Sequence, residues 1–115
     1  QSAAAAIADS GKDTLMLGVD SDLAVADPEV AGITLVSIMK AIDVAVKDAT
    51  LAAAKGEFDP APYVGTLENE GVKLSGFCDF ESKLPEGLTD ELKALQEQII
   101  SGDIKVESPN SPTSK

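Results

Sequence analysis

Apolar and polar positions change their period along this chain, and each period predicts a different element. Residues 14–19 form a continuous apolar run bounded by Asp and Gly, which is typical of a buried parallel strand. From residue 33 to about 55, apolar side chains recur at intervals of three and four, which predicts one long amphipathic helix ending near Gly56. That stripe comprises Leu35, Ile38, Met39, Ile42, Ala45, Val46, Ala49, Ala52 and Ala53.

Shorter segments complete the predicted order of elements. Alanine-rich residues 2–10 read as the end of a helix that Gly11 closes, and residues 20–32 as a loop. Residues 61–67 and 71–74 flank an Asn and a Gly, which predicts a hairpin or a tight strand connection. A second helix is expected over residues 90–101, with Thr89 as its N-cap and Gly102 after its end. A short strand at 104–106 and a disordered tail at 108–115 follow. This order predicts an α/β fold with parallel strands flanked by helices.

Charge and composition exclude several functions. The net charge is −11, from 20 acidic residues against 9 basic ones, so binding to a nucleic-acid backbone is excluded. The chain has no histidine, which rules out Ser-His-Asp and Cys-His nucleophile systems built from this chain alone. One cysteine, Cys78, permits no internal disulfide, and we expect it to be a small, partly buried residue. No apolar run reaches the roughly 18 residues that span a bilayer.

The strongest chemical feature is a pair of acids where the first strand ends, Asp20 and Asp22. Ligands of open α/β sheets bind beyond the carboxyl ends of strands. Two carboxylates there can accept hydrogen bonds from a polyhydroxylated ligand or hold a metal. An EF-hand is excluded, because its sixth position needs Gly and the chain has Val25. An Asp-x-Asp at a strand end also occurs in metal-dependent glycosyltransferases, and these acids also suit the simple capping of a strand-to-helix loop. The local sequence leaves these alternatives open.

Lys40 is a second candidate. Taken alone, it reads as a solvated lysine on the predicted helix, with Asp43 as a surface partner of little energetic value. The functional interpretation has Lys40 reach the same ligand as Asp20. A carboxylate accepts and an ammonium donates, so together they would fix the orientation of a pair of hydroxyls.

Four blocks of the chain, in order, resemble the basic membrane protein (BMP, PnrA-like) family. The blocks are residues 17–22 (LGVDSD), 35–46 (LVSIMKAIDVAV), 63–74 (YVGTLENEGVKL) and 99–106 (IISGDIKV). The resemblance covers residues 1–107 and corresponds to the C-terminal part of the family, whose complete members are about three times as long. It implies the C-terminal part of a type I periplasmic-binding-protein-like fold.

Members of that family are lipid-anchored, bilobed receptors that deliver purine nucleosides to an ABC importer. The resemblance therefore implies a substrate-binding component of an ABC transporter that performs no chemistry and needs no cofactor or metal. Asp20 would accept hydrogen bonds from the ribose hydroxyls, and Lys40 would donate to the same sugar. Asp22 lies near the cleft without an assigned role, and residues that read the base would lie in the remainder of the receptor. The alternatives are a metal-dependent nucleotide-sugar transferase and a structural surface-lipoprotein module.

Partners and location follow from the same resemblance. They are a nucleoside, the membrane subunits of the transporter, and the rest of the same polypeptide. The full-length protein would be extracytoplasmic and anchored by lipid to the cell membrane. We expect the chain to be a segment of such a protein. Its strands would then have unpaired edges and exposed apolar faces, and the isolated segment should self-associate.

Overall fold

The computed structural model describes residues 2–110 of the 115-residue chain. Its main elements are α1 (Ser2–Ser10), β1 (Met16–Asp20), α2 (Leu23–Ala26), β2 (Thr34–Lys40), α3 (Ile42–Ala54), β3 (Val72–Leu74) and α4 (Leu88–Ser101). Two 3-10 segments, Pro28–Ile33 and Cys78–Lys83, precede β2 and α4. The described helices include none that is both long enough and apolar enough to cross a membrane.

The three strands form one mixed sheet in the order β1-β2-β3. The pairing of β1 with β2 is parallel and aligns Val19 with Ile38 and Asp20 with Met39. The pairing of β2 with β3 is antiparallel and aligns Ile38 with Leu74. The predicted α/β class with a parallel component is therefore confirmed.

The chain divides into two compact units. The first consists of residues 1–41 and 72–84 and contains the sheet; the second consists of residues 42–71 and 85–115 and contains α3 and α4. The buried residues other than glycine belong to the first unit. They are Thr34, Val36, Ser37, Ala41 and Phe80.

The prediction of one helix over residues 33–55 is wrong in its first third. Residues Thr34–Lys40 are the central strand β2, and the helix begins only at Ile42. The apolar residues of β2 do not alternate strictly with polar ones, so its sequence resembles a buried helical segment. Lys40 therefore lies at the carboxyl end of a strand and not on a helix.

Other local predictions are also corrected. The predicted loop at 20–32 contains α2 and a 3-10 segment. The predicted hairpin is absent from the described residues: 61–67 form no strand, and β3 pairs with β2 instead. Residues 104–106 are not a strand, and Cys78 is exposed.

Helix ends were predicted more accurately. Helix α1 ends at Ser10 and is followed by Gly11, whose φ is +62°. Helix α4 ends before Gly102, which adopts the left-handed conformation, but its N-cap is Gly87 and Thr89 lies within its first turn. Residues 111–115 of the predicted tail lie outside the described residues, and residues 108–110 have no helix or strand.

Candidate functional site

The structure brings Asp20 and Lys40 together. Their strands β1 and β2 are parallel neighbours, so their carboxyl ends meet at the same edge of the sheet. The Lys40 Nζ lies 2.7 Å from the Asp20 Oδ1. The sheet register causes this contact, because Asp20 aligns with Met39 and Lys40 is the next residue of β2.

The backbone of Asp20 is unusual. Its φ is +78°, a left-handed conformation that few residues other than glycine adopt. Asp tolerates this region better than most residues because its short polar side chain can hydrogen-bond locally. Strained backbone at a strand end is a feature of many binding sites. The conformation ends the strand and starts a turn of residues 20–22, called the acidic turn because it carries Asp20 and Asp22.

The ion pair between Asp20 and Lys40 is accessible to solvent. Their side chains are 59% and 57% exposed. A pair this exposed contributes little to stability, since water and salt screen its attraction. Both groups therefore remain available to a ligand, one as a hydrogen-bond acceptor and one as a donor.

Asp22 lies at the N-terminal end of α2, two residues after Asp20. It is partly buried, and within the described part of the chain its Oδ1 is buried with no hydrogen-bond partner. Its side chain also makes no capping hydrogen bond to α2 within that part. Asp22 thus carries a carboxylate that the fold itself does not use.

Sequence patterns did not identify the residues that hold this acidic turn. Ser37 of β2 is fully buried, and its Oγ accepts a hydrogen bond of 3.0 Å from the backbone N–H of Leu23. Gly18 lies beside it, and a Cβ added there would be 2.8 Å from the Leu23 Cβ. An isolated glycine within an apolar strand is a signal for such a close approach.

Two clefts lie away from Asp20 and Lys40. The first has a volume of about 390 Å³ and is lined by α3, residues 57–64 and Asn69. The second has a volume of about 470 Å³ and is lined by residues 66–68, the end of α4 and residues 102–107. Both belong to the second unit. Neither is lined by Asp20, Asp22 or Lys40.

A metal at the acidic turn is disfavoured. Among residues 2–110, no group of three or more His, Cys, Asp or Glu side chains could hold a metal ion. The Lys40 ammonium beside Asp20 also supplies a positive charge where a cation would need a further anionic ligand. The residues present do not suit the divalent metal of a nucleotide-sugar transferase.

Comparison with known proteins identifies a similarity to a solved structure. No family model and no curated protein matches the chain. A crystal structure from Aeropyrum pernix K1, described as ABC transporter system solute-binding proteins, is similar with a TM-score of 0.65 and 24% sequence identity. The match covers 93% of this chain and 36% of that one, so the chain spans about a third of the length of its neighbour. The similarity shows the fold: this chain is folded like a segment of a solute-binding protein.

Proposed function

We propose that this chain is part of the substrate-binding component of an ABC importer and contributes the ribose side of a purine-nucleoside site. The observation that carries the proposal is the 2.7 Å contact between the Lys40 Nζ and the Asp20 Oδ1 at the edge of the sheet. The protein would bind its ligand and close around it without changing it chemically.

The chemistry of the pair suits a sugar with two adjacent hydroxyls. The Asp20 carboxylate accepts hydrogen bonds from both hydroxyls, while the Lys40 ammonium donates to one of their oxygens. Hydrogen bonds that involve a charged group are stronger than those between neutral groups.

The fold similarity and the resemblance to the basic membrane protein family support this function independently. The similar structure is described as solute-binding, and the resemblance includes both Asp20 and Lys40. The partners would be the membrane subunits of the transporter and the rest of the receptor, which would carry the residues that read the base. The whole protein would be extracytoplasmic and anchored by lipid.

The test replaces each member of the pair in the whole receptor. We expect Asp20→Ala and Lys40→Ala each to weaken adenosine binding more than tenfold, as measured by titration calorimetry. Each removes a hydrogen bond to a charged group, which contributes about 1.5–3 kcal/mol.

Matched controls separate the site from general charge effects. Lys12→Ala and Asp13→Ala remove an exposed lysine and an exposed acid before β1, at the opposite end of that strand from Asp20. Both should leave adenosine affinity within about twofold of the parent, because surface charges far from a ligand are screened. An analogue without the 2′ and 3′ hydroxyls should bind the parent and the Asp20 variant equally weakly. Unchanged adenosine affinity in both Asp20→Ala and Lys40→Ala would refute the assignment.

A further inference from the structure

The left-handed backbone of Asp20 needs a restraint. A residue other than glycine keeps a φ of +78° only where the surrounding structure imposes it. The contact with Lys40 is a weak restraint, because both side chains are more than half exposed and water screens their attraction. The described residues offer a stronger restraint at the other end of the acidic turn.

Both ends of the acidic turn are attached to β2. At its start, Asp20 aligns with Met39 in the parallel pairing of β1 with β2. Directly after its end, the backbone N–H of Leu23 donates a hydrogen bond of 3.0 Å to the Ser37 Oγ. Residues 20–22 have to bridge these two points, so the position of Leu23 limits the φ that Asp20 can adopt.

Ser37 is a rigid point of attachment. It is completely buried, its backbone N–H donates to the Ser75 Oγ at 2.9 Å, and its carbonyl oxygen accepts from the Ser75 N–H at 2.8 Å. These two bonds fix the backbone of Ser37 from the side of the sheet on which β3 lies. No water reaches the Ser37 hydroxyl, so breaking its contact with Leu23 would leave a buried polar group unpaired.

Gly18 allows Leu23 to approach Ser37 this closely. Gly18 is buried and aligns with Ser37 in the pairing of β1 with β2. A Cβ at this position would clash with the Ser37 Oγ and lie 2.8 Å from the Leu23 Cβ, closer than real Cβ atoms come to other atoms. A larger residue would therefore push α2 away from β2.

The φ of Asp20 decides where its carboxylate lies. Rotation about the N–Cα bond turns the Cβ together with the carbonyl carbon, while β1 holds the N and Cα in place. A change from +78° to the ordinary β region, about −60 to −160°, would swing the Cβ by more than about 120°. This swing would move the carboxylate away from the Lys40 Nζ, which lies 2.7 Å from it in the structure.

We infer that Ser37 is a positioning residue of the candidate site: by fixing Leu23, its hydroxyl imposes the left-handed backbone of Asp20 and so holds the Asp20 carboxylate beside Lys40. The inference rests on the proposed function, in which both charged groups reach the same sugar. Ser37 is completely buried and acts on the ligand only through Asp20.

The first test measures the backbone of Asp20 in the whole receptor without ligand. At positive φ the amide and α protons of one residue lie close together. Protein labelled with ¹⁵N-aspartate should therefore show a strong nuclear Overhauser effect between these two protons of Asp20. Ser37→Ala should weaken this signal at least about twofold, because the released turn relaxes to negative φ. An unchanged signal in Ser37→Ala would overturn the inference.

Two matched controls accompany this measurement. Ser75→Ala removes a hydroxyl next to Ser37 but leaves the bond to Leu23 in place, so the signal of Asp20 should stay strong. Lys40→Ala removes the ion pair and should also keep the signal strong. If Lys40→Ala weakens the signal as much as Ser37→Ala does, Ser37 does not impose the backbone and the inference is wrong. Ser37→Cys, with nearly the same volume and a weak acceptor, replaces Ser37→Ala if that variant does not fold.

The second test is a double-mutant cycle on adenosine affinity in the whole receptor. Ser37→Ala should weaken binding about fivefold in the parent and less than about twofold in the Asp20→Ala background, because a residue that acts through Asp20 then has nothing left to position. A merely structural serine would weaken binding by the same factor in both backgrounds, and that result would overturn the positioning role.

The single variant Asp20→Ala separates this inference from the proposed function. If Asp20→Ala retains adenosine affinity, the proposed site fails and Ser37 has no binding role. If Asp20→Ala loses affinity while Ser37→Ala does not, the proposed function stands and only the positioning role of Ser37 fails.

Discussion

Asp20 combines an unfavourable backbone with an exposed ion pair. Its φ of +78° costs free energy of about 1–3 kcal/mol for a residue other than glycine. The contact with Lys40 offsets little of that cost, since both side chains are more than half exposed. Stability therefore does not explain an aspartate at this position, whereas the proposed ligand, which needs a carboxylate, would.

Replacing Asp20 with glycine should separate stability from binding. Glycine adopts positive φ without a steric penalty, so Asp20→Gly should leave the free energy of unfolding unchanged or raise it by up to about 1 kcal/mol. The same variant should lose adenosine binding more than tenfold. Urea denaturation and calorimetry measure the two effects. A loss of more than about 1 kcal/mol in stability would contradict the argument that the ion pair is energetically minor.

At the scale of elements, the turn before β3 is closed by a single side chain. The Asn69 Oδ1 accepts from the N–H groups of Thr66 and Gly71 at 2.8 and 2.9 Å, and its Nδ2 donates to the Val64 carbonyl at 3.0 Å. A Cβ on Gly65 would lie 3.1 Å from the Gly71 carbonyl carbon, so the two ends of the loop touch. The Asn and Gly that predicted a hairpin instead build a loop that is closed on itself.

Substitutions of Asn69 should report the value of these bonds. Asn69→Ala removes all three and should lower the free energy of unfolding by about 1–3 kcal/mol. Asn69→Asp keeps the acceptor oxygen but places a second acceptor oxygen against the Val64 carbonyl, so it should also lower the free energy of unfolding. Glu68→Ala, an exposed neighbour in the same turn, is the control and should stay within about 0.5 kcal/mol of the parent. Equal stability of Asn69→Ala and the control in urea denaturation would contradict this account.

At the scale of the whole molecule, the sheet of the first unit leaves an apolar row uncovered. Val19, Ile38 and Leu74 lie side by side across the three strands and are 60%, 45% and 45% exposed. Leu17, on the same face of β1, is 55% exposed. Contiguous apolar surface of this kind marks an interface, and β1 is also an edge strand. Under the proposed function, the rest of the receptor would cover this row.

The 115-residue chain on its own should therefore self-associate. Sedimentation velocity at increasing concentration should show oligomers, and the double variant Val19→Thr/Ile38→Thr should shift the population toward monomer, because it removes apolar surface from the row. Val46→Thr is the matched control: Val46 on α3 is 60% exposed and belongs to the second unit, so its replacement should have little effect. A parent chain that stays monomeric at high concentration would contradict the expectation.

The sequence by itself determined the features that depend on neighbouring residues. Glycines after α1 and α4 ended those helices as predicted, and the apolar run before Asp20 formed β1, because caps and continuous apolar runs act over a few residues. The acidic turn after β1 was visible for the same reason. The α/β class followed from the alternation of such segments along the chain.

Only the tertiary structure decided which residues meet. Residues 34–40 carry an apolar pattern that suits a buried helix as well as a central strand, and pairing with β1 and β3 made them a strand. The proximity of Asp20 to Lys40, expected from a helix, arises instead from the register of two parallel strands. Ser37 meets α2 in the same way, through a hydrogen bond to a residue 14 positions away. The spacing of apolar residues indicates which side chains of a single segment are buried. Strand register and long-range hydrogen bonds, in contrast, depend on residues distant in the chain.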